Sequence, residues 1–250
     1  MDKPFDYEKI GIEYSHIRKT EPTIANQIVK ALGNAKTVLN MGAGTGSYEP
    51  QDRYVIAIEP SFKMRGQRPR NIPPALLGNS DFIPFDDQSF DASMAMITIH
   101  HWVDLAQGLR ELRRVTRNQI LILTFDPNEL DNFWNAQYFP ELVAIEKKRF
   151  PKMETLKKLL GGLVEVEPVP IPLDCSDGFQ EAFYGRPESF LDPKVRKSQS
   201  AWGFLYPGEE DKMVKRLEED LRSGAWDEKF GQFRTQPSYI GSLRLLIAHP

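Results

Sequence analysis

Thr37-Val38-Leu39-Asn40-Met41-Gly42-Ala43-Gly44-Thr45-Gly46-Ser47-Tyr48-Glu49 is the stretch that decides how this chain folds. An apolar pair, Val38 and Leu39, runs into a turn with glycine at positions 42, 44 and 46. A few residues on, Tyr54-Val55-Ile56-Ala57-Ile58 is a buried-type apolar run ending on the carboxylate of Glu59. A strand, a loop of bare backbone and a second strand tipped with an acid are the parts of a nucleoside-binding crevice. Glu59 is placed there to accept hydrogen bonds from both hydroxyls of a ribose.

The glycine spacing narrows the ligand. A dinucleotide fingerprint is G-x-G-x-x-G, and a phosphate loop of the Walker type ends in Gly-Lys-Ser/Thr. Here the pattern is G-x-G-x-G followed by Ser47, which points away from both. Glycines still let a ligand lie close to the backbone, with or without phosphate.

Working outward, Glu21-Pro22-Thr23 opens a helix, with Ile24, Ile28 and Leu32 at i, i+4, i+8 and Gly33 placed to stop it. After Glu59, the basic run Ser61–Arg70 suits a short helix, and Lys63 to Arg70 within it is the best local candidate for an anion-attracting patch. Pro69, Pro73 and Pro74 break the chain beyond that run, and Ala75-Leu76-Leu77 reads as a third strand. The loop 81–91 leads into Ala92–Ile99, nearly continuous in apolar residues, as a central parallel strand should be. Asp104 is placed to cap the next helix, whose apolar stripe is Leu105, Leu109, Leu112 and Val115. Arg110, Arg113, Arg114 and Arg117 lie off that stripe and read as a solvated face. Ile120–Phe125 is a fifth strand. Strand and helix alternating at this pitch predict an α/β fold: a Rossmann-like, mostly parallel seven-stranded sheet with helices on both faces.

Past residue 126 the texture changes. Phe133, Trp134, Tyr138 and Phe139 crowd one segment, Met153–Leu160 reads as a helix, and Leu163–Leu173 suits an edge strand. Residues 175–235 interrupt the sheet with an aromatic-rich block and a helix over 207–222, before Ser242–Ala248 closes it. The expected division is a core of residues 1–174 and 236–250, in which 1–22 form an arm or lid. Residues 175–235 form a helical cap inserted between the last two strands and contribute to a substrate pocket.

Composition bounds the partners. Of 250 residues, 40% are hydrophobic and 27% charged, with a net charge of -3, so no global field attracts nucleic acid or an anionic membrane. The single cysteine, Cys175, excludes an intrachain disulfide and fits a reducing compartment. No apolar run has the length of a membrane span, no metal-ligand spacing stands out, and a soluble, cytoplasmic protein is expected.

On these residues the chain resembles the class I S-adenosylmethionine-dependent methyltransferases over roughly residues 5–126. Residues 38–46 are similar to the family's first motif, and Ile58-Glu59-Pro60-Ser61 with Met64 to its second. Residues 78–91 are similar to its third, in the pattern of the small-molecule branch that includes the quinone-biosynthesis methyltransferases. Ile97-Thr98-Ile99-His100-His101-Trp102 resembles that branch's motif after strand four, and Tyr14-Ser15-His16-Ile17-Arg18 an N-terminal arm that closes over the cofactor.

The resemblance implies S-adenosyl-L-methionine as cofactor and assigns roles. Gly42, Ala43, Gly44 and Gly46 would pass under its methionine part, Asn40 would meet the ammonium through its amide or through water, and Glu59 would hold the ribose. Pro60, Ser61 and Met64 would border the adenine, with Asn79, Ser80 and Asp81 at its edge. Thr98, His101 and Trp102 would lie near the methionine end, and Tyr14 and Arg18 would close the other side. Positions 40 and 79, often acidic in the family, are both Asn here.

Other roles stay open. His100 and His101 are candidates for a general base, weighed equally with a packed or merely orienting role. Trp134, Tyr138, Phe179, Phe183, Tyr184 and Trp202 are candidates for the substrate pocket, weighed equally with cap core. Asp126 reads as a cap, and Arg186 and Arg196 as solvated rather than substrate-binding. The function expected is methyl transfer to a small, apolar or aromatic acceptor by in-line displacement, with oligomeric state open. A nicotinamide-dependent oxidoreductase and a non-catalytic cofactor-binding regulator are the alternatives.

Overall fold

The computed structural model describes residues 17–249. Tyr14, most of the expected arm and the start of the resemblance lie outside them. Helix α1 (Pro22–Ala31) starts where the Glu21 carboxylate accepts a hydrogen bond from the Thr23 amide, and it buries Ile24 and Ile28. Strand β1 (Thr37–Met41) enters the glycine turn, and β2 (Tyr54–Ile58) leads through Ser61, whose hydroxyl caps the Met64 amide, into α2 (Phe62–Gly66). Next come β3 (Phe90–Met96), α3 (Leu105–Val115), capped by Asp104 as the sequence predicts, and β4 (Thr116–Phe125).

Beyond β4 lie α4 (Asn135–Tyr138), α5 (Pro140–Arg149), α6 (Met153–Leu160), β5 (Leu163–Pro168) and β6 (Ile171–Pro172). They are followed by α7 (Pro193–Lys197), α8 (Glu209–Ser223), α9 (Ala225–Phe230), β7 (Ser238–Tyr239) and β8 (Leu243–His249). The central sheet has the order β2-β1-β3-β4-β8-β5. Its first four strands are parallel, while β8 runs antiparallel to both β4 and β5.

The sheet therefore has six strands among the described residues, where seven are expected. The difference is the segment 75–77. Leu76 makes a single parallel bridge to Ile58, but Pro73 and Pro74 lack amide donors on one side and Gly78 follows on the other. The rest of the fold class stands: a Rossmann-like, mostly parallel sheet covered on both faces. Val38, Met94, Leu121 and Leu123 face one way, packed with Ile24 and Ile28 of α1. Leu39, Ala95, Ile120 and Ile122 face the other, packed with Leu109 and Leu112 of α3 and Leu156 of α6. Alternate residues pointing to opposite faces, all apolar, are the signature of strands covered on both sides.

The short ribbon of β6 with β7, Ile171 opposite Tyr239, brings together the two ends of the segment that interrupts the sheet. The aromatic side chains of that segment interlock with those of 133–139. Trp134 meets Phe190 and Trp226 edge-on, and Phe139 meets Phe190 and Trp202. The cap core is thus built from two stretches of chain.

Of the four arginines expected on a solvated face, Arg110 and Arg117 are exposed, whereas Arg113 and Arg114 are tied inward. Arg114 donates to Ile83 O and Phe85 O and pairs with Glu111 and Asp87, while Glu111 accepts from the Ile83 amide. Arg113 bonds the Leu160 carbonyl, and Arg117 pairs with Asp91. Arg186 and Arg196 are likewise internal ties: the first donates to Cys175 O and Ala182 O, and the second to Phe190 O and Glu210. Asp126 accepts from the Asn128 amide, the capping role read for it.

Candidate active site

The site begins at the carboxyl ends of β1 and β2. The amides of Gly42 and Ala43 both donate to Ile58 O, at 2.9 and 3.0 Å, which folds the glycine turn over the end of β2. Gly42, Gly44 and Gly46 all have left-handed backbone (φ +69°, +52° and +95°). At Gly42 a Cβ would stand 2.1 Å from Thr98 Oγ1, so this turn and the segment after β3 are pressed together. Only glycine meets both requirements.

Glu59 is buried at the tip of β2, and its two oxygens accept from the amides of Gly44 and Ser61, each at 2.8 Å. Burial raises its pKa, offset in part by those amides and by Arg68 and Arg65. Each oxygen keeps a lone pair for a further donor. Met64 is buried beside Gly44, and Pro60 is exposed at the rim. In the third motif Asn79 Oδ1 accepts from the Asp81 amide, and the Asp81 carbonyl accepts from Gln107. A Cβ on Gly108 would stand 2.5 Å from the Trp102 ring and 2.9 Å from Ser80, so Trp102 and Ser80 meet over α3.

Sequence reasoning missed the group beneath the turn. Asn40 Nδ2 donates to Glu49 Oε1 at 2.9 Å, and Arg68 Nη2 lies 2.8 Å from Glu49 Oε2. Glu49 thus sets a buried carboxylate beside the position where Asn stands in place of the usual acid. Asn40 Oδ1 is a buried acceptor with no hydrogen-bond partner among the described residues. Arg68 belongs to the basic run after Ser61, and its inward turn removes it from any surface patch.

Beyond the turn, Ile97 is a β-branched residue at φ +51°. Backbone in that region costs about 1–3 kcal/mol and collects at functional sites. It sits at a junction: Thr98 presses on Gly42, while Ile97 lines a cleft between the sheet ends and the cap. The cleft measures about 590 Å³, counting space open to solvent. Its apolar walls are Ile97, Phe125, Leu130, Phe133, Phe150 and Phe179, and Arg18, His100, His101, Asn135, Glu146 and Gln180 are among its polar groups. Arg18 is anchored to Asp177 of the cap at 2.7 Å, and Tyr48, at the end of the glycine turn, donates to the same carboxylate at 2.8 Å.

The candidate pocket residues separate. Phe179 lines the cleft. Trp134, Tyr138, Phe183, Tyr184 and Trp202 pack into the cap core instead, with the Trp134 indole donating to Tyr184 O. Both histidines face the cleft with their rings 3.9 Å apart. Desolvation, with Arg149 and Arg18 nearby, lowers the pKa of His101 to about 3; desolvation, His101 and the same arginines depress His100 strongly. Both imidazoles are neutral at physiological pH and poor at taking a proton. Cys175 is buried, and burial pushes its thiol up to about 12, which makes it inert. No grouping of side chains suited to a metal ion occurs among the described residues, and no helix there is long and apolar enough to cross a membrane.

A glycine turn at a strand end, an acid on the neighbouring strand and a capped cleft beside them define a nucleoside-cofactor enzyme of the open α/β class. Residues 39–123 match the family described as a methyltransferase domain. In the solved structures, a putative methyltransferase from an antibiotic biosynthesis pathway of Anabaena variabilis is 29% identical. It aligns over 94% of this chain and 99% of its own with a TM-score of 0.86. An uncharacterized methyltransferase of Mycobacterium tuberculosis is 37% identical over 33% of this chain. The malonyl-[acyl-carrier protein] O-methyltransferase of Erwinia pyrifoliae is 36% identical over 52% of it. The matches span only 36% and 53% of those two relatives' own lengths. Residues 39–123 thus carry a methyltransferase domain, and these likenesses support S-adenosylmethionine-dependent methyl transfer with S-adenosylmethionine as the cofactor. The site fits that cofactor: Glu59 retains acceptor capacity for a ribose diol, and Asn40 Oδ1 is an unused buried acceptor suited to an ammonium.

Proposed function

We propose that the protein methylates a small acceptor held in the cleft beneath the cap. The observation that carries this reading is the junction at Ile97 and Thr98, where consecutive residues touch the cleft and the glycine turn. A methyl donor over the turn and an acceptor in the cleft would then meet at one point. The cofactor supplies an activated sulfonium methyl group. Gly42, Gly44 and Gly46 allow close approach of the backbone, Glu59 would hold the ribose, and Asn40 would receive the ammonium. Pro60, Ser61 and Met64 border the place for the base, with Asn79, Ser80 and Asp81 at its edge and Thr98 and Trp102 toward the methionine end. Arg18 ties the chain before α1 to the cap. Positioning and exclusion of water are the main demands of an in-line displacement.

His100 and His101, being neutral, serve in this reading to shape and orient rather than to take the proton. The apolar walls favour an apolar or aromatic ring compound of modest size. Segments 130–150 and 175–235 together make the cap, which widens the substrate-binding unit beyond the inserted segment alone.

Calorimetric titration with S-adenosylhomocysteine and with NADH, followed by turnover on a panel of ring acceptors, tests this. Tight binding of the first, weak binding of NADH, and loss of both affinity and turnover in Glu59→Ala are expected. Preference for NADH would overturn the reading, and cofactor binding with no acceptor ever methylated would favour a regulatory protein.

A further inference from the structure

The cleft is apolar in its walls, yet it contains buried polar atoms that nothing among the described residues satisfies. Asn135 and Glu146 are 3% and 7% exposed. Asn135 Nδ2 donates to Gln180 Oε1 at 2.7 Å, and Gln180 Nε2 donates to Glu146 Oε1 at 3.0 Å. At the two ends of this chain, Asn135 Oδ1 and Glu146 Oε2 are buried with no partner. A buried polar atom left unpaired costs about 1–3 kcal/mol, so two of them lining one cleft point to a ligand that completes them.

Above about pH 7, where Glu146 is ionised, the direction of the chain is dictated by chemistry. An ionised carboxylate only accepts, so Gln180 must turn its NH2 toward Glu146 and its oxygen toward Asn135. Asn135 must then give its NH2 to Gln180 and leave its oxygen free. Both open ends are acceptors. The chain also bridges α4, α5 and the segment 175–235.

Resting on the acceptor-cleft reading above, we propose that Glu146, Gln180 and Asn135 form a recognition rail that selects ring acceptors bearing neutral hydrogen-bond donors, hydroxyl or amino groups. A donor-free ring leaves both oxygens unpaired and is rejected; such sites discriminate more sharply than apolar pockets do. A cationic amine is disfavoured because the Arg149 guanidinium lies near enough to act on Glu146 and on both histidines of the cleft. Arg18 is paired with Asp177, and Glu181, the other carboxylate of the lining, is turned to the Ser242 amide. Burial pushes the Glu146 carboxyl up to about 7, so the rail becomes an acceptor at both ends as the pH rises past that value.

The test is calorimetry near pH 8 with resorcinol, 3-aminophenol, 1,3-dimethoxybenzene and benzylamine, each with and without saturating S-adenosylhomocysteine. A neutral donor probe is expected to bind at least about tenfold more tightly than the dimethyl ether, as one hydrogen bond to a charged group allows. Glu146→Gln keeps the size of the side chain and removes the buried charge, so it folds. It is expected to erase that preference while S-adenosylhomocysteine binds as before. Equal binding of the ether, retention of the preference in the variant, tighter binding of benzylamine, or no binding of either neutral donor at millimolar concentration would overturn the proposal. Failure of S-adenosylhomocysteine to bind while the donor preference persists would strike the methyl-transfer reading alone.

Discussion

Arg68 Nη2 lies 2.8 Å from Glu49 Oε2, and the two side chains are 3% and 2% exposed. The pair is buried directly beneath the glycine turn, with Asn40 on the other carboxylate oxygen. Arg68→Met leaves Glu49 as an uncompensated buried charge, which costs about 3–5 kcal/mol. The double variant Arg68→Met/Glu49→Gln is expected to recover most of that loss. Urea unfolding of both variants measures it, and equal destabilisation of the two would show that packing, not charge, is what Arg68 provides.

Gly42 and Gly33 both have left-handed backbone, but their surroundings differ. A Cβ on Gly42 collides with Thr98, whereas one on Gly33 meets nothing within 4 Å. Gly33→Ala is expected to cost about 1 kcal/mol, from backbone conformation alone. Gly42→Ala is expected to weaken S-adenosylhomocysteine binding by more than about tenfold, since it displaces the turn from Thr98. Calorimetry on the two variants separates the effects.

Asp177 joins the arm to the turn, accepting from Arg18 and from Tyr48. Tyr48→Phe removes one hydrogen bond to a charged group and is expected to cost about 1.5–3 kcal/mol in thermal or urea unfolding. Burial first, then Asp177, holds the Tyr48 hydroxyl well above its ordinary value, so this contact should persist through alkaline titration. Disappearance of the Tyr48→Phe deficit at neutral pH would contradict the assignment.

Glu146 and Glu181 are buried carboxyl groups, each raised from an ordinary 4.5 to about 7 by desolvation. Between those two values the folded protein holds protons that the unfolded chain releases. Their contribution therefore falls as pH rises from about 4.5 to 7, by at most about 3 kcal/mol per group. The stability difference between Glu146→Gln and the unaltered protein is expected to shift in favour of the variant across that window. Melting temperatures at intervals from pH 5 to pH 8 read it out; a constant difference would mean that Glu146 titrates normally.

Much of the fold is legible because it depends on local chemistry. The helix at 105–115 follows from Asp104 and an apolar stripe, and the parallel strands from runs that are apolar on both faces. The third strand fails for a reason present in the sequence: the prolines at 73 and 74 outweigh the apolar run beside them. Arg113 and Arg114 differ from their reading because helix periodicity shows which face they occupy, not that a distant loop lies within their reach. The five aromatics found in the cap core carry no signal separating a wall from a core: tryptophan and phenylalanine serve both.

By itself the sequence determined the class of cofactor and the sheet that carries it. A glycine turn, an acid one strand away and the loop at 78–91 each require particular residue types at particular local positions. Only the tertiary structure decided what faces the acceptor. Glu146, Gln180 and Asn135 come from separate elements, and Glu49 and Arg68 meet across a turn. A polar residue acquires its meaning from burial and from which of its hydrogen bonds remain unmade, and neither is a property of neighbours along the chain.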